Sequence, residues 1–271
     1  MREYEILVAD PAKNITVFVL SAVDSQEQRA AIAKQILTDP SLRAEQVGFV
    51  IPPPLPEQGE LWRLHMMGGE FCGNAARAFG LFVARKLGLS GELTLPIEIS
   101  GAREPLSVSV NTLAGTAEVE MPLPLDDAAC QPSLAYKGRD LPVFAFEGIT
   151  HIIAPEVVAD RDIFFALKKI IDAEKSPDAL GVMFWDSAAG FMTPAVYVYA
   201  TGSLIFESSC GSGSAAMALW QNRGLLNGEA YGEIAQPGGI ITTRVVKRGG
   251  KVLSACIGGE VKLGEPRSIF L

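Results

Sequence analysis

The sequence predicts an α+β (mixed α/β) architecture, and three observations lead there. Short β-branched segments bounded by Gly, Pro or polar residues outnumber helical ones. The helical segments are interspersed without the regular strand–helix alternation of a doubly wound fold. The chain also repeats itself. "CGNAARA" begins at Cys72 and "CGSGSAA" at Cys210, an offset of 210 − 72 = 138. "NITVFVL" begins at Asn14 and "GITHIIA" at Gly148, an offset of 148 − 14 = 134. Two matched pairs in the same order predict two similar domains related by a pseudo-two-fold axis, with the ligand in the crevice between them.

In the first half, "YEILVA", "ITVFVL", "VGFVI", "LTLPIEI", "LSVSV" and "TAEVEM" read as strands. Residues 25–37 read as a helix with Ser25 as N-cap and apolar positions at helical spacing. A second helix is expected over 75–87, where Gly73 permits a tight turn, Asn74 caps, and Gly88 closes the C-terminus. Its apolar residues fall on most sides, so it is a buried helix. The Pro-rich stretch 121–133, "MPLPLDDAACQPS", reads as a linker. Beyond it lie the strand-like runs "FAFEGITHIIA", "GVMFW", "AVYVYA", "GIITTRVV" and "KVLSACI", and a helix over 160–172. An apolar helix follows Cys210, entered through Gly211 and Gly213 and ending near Gly224. The expected domains are residues 1–123, carrying Cys72, and 124–259, carrying Cys210, with a terminal strand, 260–271, returning to the first.

Composition narrows the function. Hydrophobic residues make up 48% and charged residues 20% of 271, which describes a globular chain. A net charge of −8 argues against nucleic acid as a partner. The opening "MREYEILVAD" has charges where a signal peptide needs an apolar core, and no apolar run nears the ~20 residues of a membrane helix. A cytoplasmic protein without a membrane partner is expected. Four cysteines, no CxxC pair and only His65 and His151 leave little to build a zinc site from, so no metal is expected. Cys130 and Cys256 read as small buried hydrophobes.

Cys72 and Cys210 stand apart because each heads a buried helix. Unpaired N–H groups there form a cradle for a carboxylate, and the helix dipole favours thiolate over thiol. A P-loop is excluded because neither copy ends in GK[ST]. A papain-like nucleophile leaves the second cysteine unexplained. Two matched cysteines suit cofactor-free inversion of an amino-acid α-carbon. One thiolate removes the proton, and the opposite thiol delivers another to the planar carbon. Helix N-termini aimed at the carboxylate stabilise the developing charge.

"CGNAARA" and "SCGSGSAA" resemble the cysteine motifs of the diaminopimelate epimerase superfamily of pyridoxal-phosphate-independent racemases and epimerases. The similarity extends to "NITVFVL", "EQVGFV" and the C-terminal "PGGIITTRVV…GGKVLSACIGGEV". It implies two pseudo-symmetric domains, each a curved, mostly antiparallel sheet around a central helix. It implies Cys72 and Cys210 as the acid/base pair and no cofactor. Asn14 and Gln46 are then substrate contacts, and Gly73, Asn74, Gly211 and Ser212 hold the carboxylate or amino group through backbone groups. A homodimer is expected.

Departures from that family bear on substrate. His65 and Gly181 stand where Asn is expected, Ile149 replaces another Asn, and Ala200–Thr201 replace a Glu–Arg pair. Without the Arg, a distal carboxylate lacks its bidentate partner, which argues against diaminopimelate. "GGEFCGNA" is similar to the cysteine segment of the histidine racemases that supply D-histidine for staphylopine-type (opine) metallophores. His65, Met66 and Met67 are then expected to line a pocket for a flat ring, with Glu207 accepting a hydrogen bond from an imidazole N–H or the α-amino group. The plainer readings are a solvated loop carboxylate for Glu207 and structural roles for His65 and His151. Two alternatives stand beside histidine racemisation. One is a diaminopimelate epimerase or a racemase of another amino acid. The other is a non-catalytic small-molecule-binding member of the fold.

Overall fold

The structure, a computed structural model, describes residues 2–54, 60–125, 132–174 and 177–271. The chain forms two compact units, Met1–Glu120 with Gly258–Leu271, and Met121–Ile257. Sheet dominates both.

The first unit runs β1 (Glu3–Asp10), β2 (Thr16–Val19), α1 (Gln26–Thr38), β3 (Gln46–Ile51), β4 (Arg63–Met66), α2 (Gly73–Lys86), β5 (Glu92–Ile99), β6 (Leu106–Asn111) and β7 (Thr116–Glu120). The expected α1 forms, with Ser25 Oγ accepting from Gln28 N–H at 3.2 Å. It buries Ile32, Ala33 and Ile36 against β1, β2 and β3. Strands β2 and β3 are parallel, and α1 supplies the crossover that parallel neighbours need.

Helix α2 is the centre of this unit. Every residue from Gly73 to Ala84 is buried, and Phe79 and Phe82 stack around Phe18 of β2 with ring centroids 5.9–6.0 Å apart. Gly80 lets the helix approach β6: a Cβ there would come within 2.5 Å of Val108 Cγ1. The C-terminus closes as expected, with Gly88 at φ +68°, its N–H on Arg85 O at 3.0 Å and Leu89 N–H on Ala84 O at 2.9 Å.

The second unit runs β8 (Ser133–Tyr136), β9 (Arg139–Phe146), β10 (Ile149–Pro155), α3 (Arg161–Glu174), β11 (Ala179–Asp186), β12 (Phe191–Val198), β13 (Ser203–Phe206), α4 (Gly211–Gln221), β14 (Gly228–Gln236), β15 (Gly239–Arg248) and β16 (Lys251–Glu260). The run "FAFEGITHIIA" is two antiparallel strands, β9 and β10, turned at Gly148 with φ +81°. Asp160 Oδ1 caps α3 by accepting from the N–H groups of Asp162 and Ile163 at 2.8 and 3.0 Å. Helix α4 packs into a core with Met183, Ile153, Ile234 and Val245.

The pairing sense repeats within each unit. In the first, β1–β2 is antiparallel, β2–β3 parallel, β3–β4 antiparallel, β4–β5 parallel and β5–β6 antiparallel. In the second, β9–β10, β10–β11, β11–β12, β12–β14 and β14–β15 follow the same order of senses. Strand β13, which pairs with β12 just before Cys210, has no counterpart before Cys72 among the described residues. The chain re-enters the first unit within β16, at Gly258, and then β17 (Lys262–Leu263) and β18 (Arg267–Phe270) pair antiparallel with β1.

Cys130 and residues 126–131 of the expected linker lie outside the described residues. On its flanks Met121 is buried and Leu125 N–H donates to Ala145 O at 2.7 Å. Cys256 is buried in β16, beside Arg244 Nη2 at 3.2 Å. Among the described residues no helix is long and apolar enough to cross a membrane, and no group of three or more His, Cys, Asp or Glu could hold a metal ion.

Candidate active site

Cys72 is itself the N-cap of α2, which begins at Gly73 and not at Ala75. Its backbone is extended (φ −133°, ψ 112°), and its Sγ accepts from Ala75 N–H at 3.4 Å. Asn74 therefore does not cap. It lies inside the first turn, 1% exposed, where its Oδ1 accepts from Arg77 Nε at 3.1 Å. The Cys72 sulfur is half-buried and lies 4.0 Å from Asn14 Oδ1. Asn14 is buried, and its Nδ2 donates to Glu45 Oε2 at 2.8 Å, which turns its carbonyl oxygen toward the sulfur.

The loop entering Cys72 is held from behind by β5 and the turn after it. Ser100 Oγ accepts from Met66 N–H at 2.8 Å and donates to Glu70 O at 3.0 Å. Gly101, at φ +76°, lies so close to Glu70 and Phe71 that a Cβ there would meet their backbone.

Cys210 is likewise the N-cap of α4, in almost the same conformation (φ −124°, ψ 113°), without a side-chain cap hydrogen bond. A closed ring of buried groups fixes its backbone. Cys210 N–H donates to Gln236 Oε1 at 2.9 Å, Gln236 Nε2 donates to Ser214 Oγ at 2.9 Å, and Ser214 Oγ donates to Cys210 O at 2.7 Å. Burial, then the charge of Glu207, pushes the Cys210 thiol well above its ordinary range, opposed by Gly213 N–H and the Ser212 hydroxyl. Ser212 Oγ lies 3.7 Å from Cys210 Sγ and 2.8 Å from His151 Nε2. His151 is fully buried, and desolvation pushes it down to about 3, so the ring is neutral. Gly181 of β11 leaves the space for it, since a Cβ there would overlap His151 Nδ1.

The first unit therefore gathers Asn14, Gly73, Asn74 and Cys72 at one helix N-terminus, and the second gathers Gly211, Ser212 and Cys210 at another. Gln46 pairs with Thr16 across β2 and β3, and its buried Oε1 has no hydrogen-bond partner among the described residues. Glu207 is half-buried, three residues before Cys210. His65 is half-buried on β4, where burial and the charges of Arg29 and Arg63 lower its pKa. The expected pocket of His65, Met66 and Met67 is corrected. Successive residues of a strand point to opposite faces, so Met66 lies on the face away from His65 and is fully buried. Met67 packs against the core around α1.

Sequence reasoning missed Glu45, Arg77, Ser214 and Gln236. Only Arg77 carried a signal, as the one charged residue in the run "CGNAARAFGLFVA".

Comparison with known proteins adds three findings. A family model described as the histidine racemase CntK N-terminal domain matches residues 5–266. A histidine racemase from Fusobacterium nucleatum is 32% identical over 227 residues, covering 80% of each chain, and one from Staphylococcus aureus is 26% identical over 235, covering 86% of this chain and 85% of the relative. The solved structure of a hydroxyproline epimerase from Agrobacterium vitis, with trans-4-hydroxy-L-proline bound, shares the fold at a TM-score of 0.63 and 11% identity, over 99% of this chain and 91% of that one.

Proposed function

The chain belongs to the histidine racemase family whose model spans residues 5–266, and from that membership we propose that it interconverts L- and D-histidine without a cofactor, through Cys72 and Cys210. Its class, an amino-acid racemase, follows from the relatives. The substrate, the two-cysteine mechanism and the arrangement of the units as diaminopimelate-epimerase-like domains are our reading.

One observation carries the mechanism: both copies of the repeat place a cysteine as the N-cap of a buried helix. One cysteine enters as thiolate and takes the α-proton, becoming a thiol. The carbanion, planar and delocalised into its carboxylate, accepts a proton from the other thiol, which leaves as thiolate. The product is the opposite enantiomer, and the pair has exchanged protonation states. The N–H groups of the first turns of α2 and α4, at Gly73–Asn74 and Gly211–Ser212, are suited to the carboxylate on which charge develops. Gln46, whose buried oxygen has no hydrogen-bond partner among the described residues, and Asn14 are proposed substrate contacts, as are His65 and Glu207.

The further parts of the proposal rest on likeness to histidine racemases: a cytoplasmic homodimer whose D-histidine feeds opine-type metallophore synthesis.

The test is α-proton exchange. The protein is incubated with single L-amino acids and with meso-diaminopimelate in D₂O, without cofactor, and the α-deuterium and enantiomer content are measured. Exchange and inversion confined to histidine are expected. Inversion of a different amino acid would replace the substrate, and absence of exchange with all of them would favour a binding protein.

A further inference from the structure

His151 of β10 reaches the head of α4 by a contact that the first unit does not repeat. His151 is in register with Gly181 across β10 and β11, and the corresponding pair across β2 and β3 is Val17 with Val47, since 151 − 134 = 17. Both valines are fully buried. Ser212 corresponds to Asn74, since 212 − 138 = 74, and the Asn74 side chain is taken by Arg77. Where the first unit has two valines and an amide, the second has an imidazole, a missing Cβ that admits it, and a hydroxyl.

The surroundings of the ring fix its tautomer. The buried ring is neutral, so one nitrogen carries a hydrogen and the other a lone pair. Nδ1 has no hydrogen-bond partner among the described residues, and a Cβ on Gly181 would lie 2.2 Å from it. Nδ1 therefore faces the Cα hydrogens of Gly181, which suit a lone pair and repel an N–H. A buried N–H without an acceptor is also costly. The hydrogen then belongs on Nε2, which donates to Ser212 Oγ at 2.8 Å. Having accepted there, Ser212 keeps its own hydrogen for its other partner, Cys210 Sγ at 3.7 Å. The opposite tautomer would draw the hydroxyl hydrogen to Nε2 and turn oxygen lone pairs toward the sulfur.

We propose that His151 and Ser212 are positioning residues, the Nε2–H of the histidine turning the serine hydroxyl so that it donates to Cys210 whenever that sulfur is a thiolate. The hydroxyl keeps its proton throughout, so no bond is made or broken at Ser212. Burial and Glu207 oppose a charged sulfur, while Gly213 N–H and this hydroxyl favour it. Met183 of β11, packed in the same core, brings no charge. The direction of the His151–Ser212 hydrogen bond stands on geometry, and its part in turnover rests on the two-cysteine reading.

The tautomer is read by long-range proton–nitrogen correlation NMR of the isotope-labelled protein. The chain has only two histidines, and the one whose signals vanish in His151→Gln is His151. A protonated Nε2 and a bare Nδ1 are expected near neutral pH, and a bare Nε2 overturns the proposal whatever the activity. Turnover of histidine gives the second reading. Ser212→Ala keeps the backbone N–H and is expected to lower kcat roughly tenfold with KM near the parent value. Ser212→Thr returns the hydroxyl and should recover most of that loss, whereas a Thr variant as slow as Ala overturns the proposal. His151→Phe, shown to be folded by its melting curve, should lose as much as Ser212→Ala, and the double variant no more than either. Additive losses, or parental kcat in Ser212→Ala, overturn it. If the parent inverts no amino acid, the racemase reading fails instead, and the tautomer alone decides the His151–Ser212 geometry.

Discussion

Cys210 and Cys72 share one backbone conformation but not one environment. Cys72 is half-buried, whereas Cys210 is fully buried beside Glu207. If both transfer protons, Cys72→Ser and Cys210→Ser should each lower racemisation by ~10²-fold or more, since a serine hydroxyl is a far weaker acid. Near-normal turnover in either variant rules out a two-base mechanism. His151 allows a second prediction at the same scale. Its folded pKa is about 3, below the ~6.5 of an unfolded histidine. Below ~6.5 the unfolded chain binds a proton that the folded chain refuses, so this stability is whole above ~6.5 and is lost as pH falls toward 3. Between ~6.5 and ~5 the loss is about 2 kcal/mol. Urea unfolding at about pH 7 and about pH 5 should show that drop in the parent and not in His151→Gln. Equal drops would mean that His151 is not held neutral.

Among the elements, the turn after β5 decides where the loop into α2 runs. Gly101 is both left-handed and in backbone contact with Phe71, so no side chain fits without moving the residues that lead into Cys72. Gly101→Ala is expected to lose ~1–3 kcal/mol in urea unfolding and to lower kcat. Gly88→Ala makes the control. It has a comparable φ of +68° with open space around it, so it should lose stability while kcat holds. A Gly101→Ala enzyme with parental kcat would show that the turn does not set the cysteine. At this scale the sequence was most informative for α1 and α3, whose Ser25 and Asp160 caps and apolar spacing are local signals. It was less so for α2, where Asn74 reads as a cap yet is turned inward to Arg77. It misled at Met66, because a four-residue strand gives too little alternation to tell one face from the other.

For the molecule as a whole, a mechanism that needs one thiolate and one thiol predicts a bell-shaped pH dependence of kcat/KM. Activity falls at low pH when both sulfurs carry protons and at high pH when neither does. The two limbs belong to the pair and not to either residue. A profile with a single limb would indicate one base. Each unit shows the same succession of strand senses around a buried helix headed by cysteine, which is the repeat that the 138-residue offset marks in the sequence. The sequence alone located the repeated cysteine motif and the buried helix behind each copy, because a repeated motif and a buried-helix composition are local patterns, and the resemblance of those motifs to known racemases carried the racemase class. Tertiary structure alone decided what surrounds each sulfur. The Asn14–Glu45 pair beside Cys72, the Gln236–Ser214 ring behind Cys210 and the His151–Ser212 contact each join residues distant along the chain, and these hydrogen bonds count because packing removes the water that would otherwise compete for them.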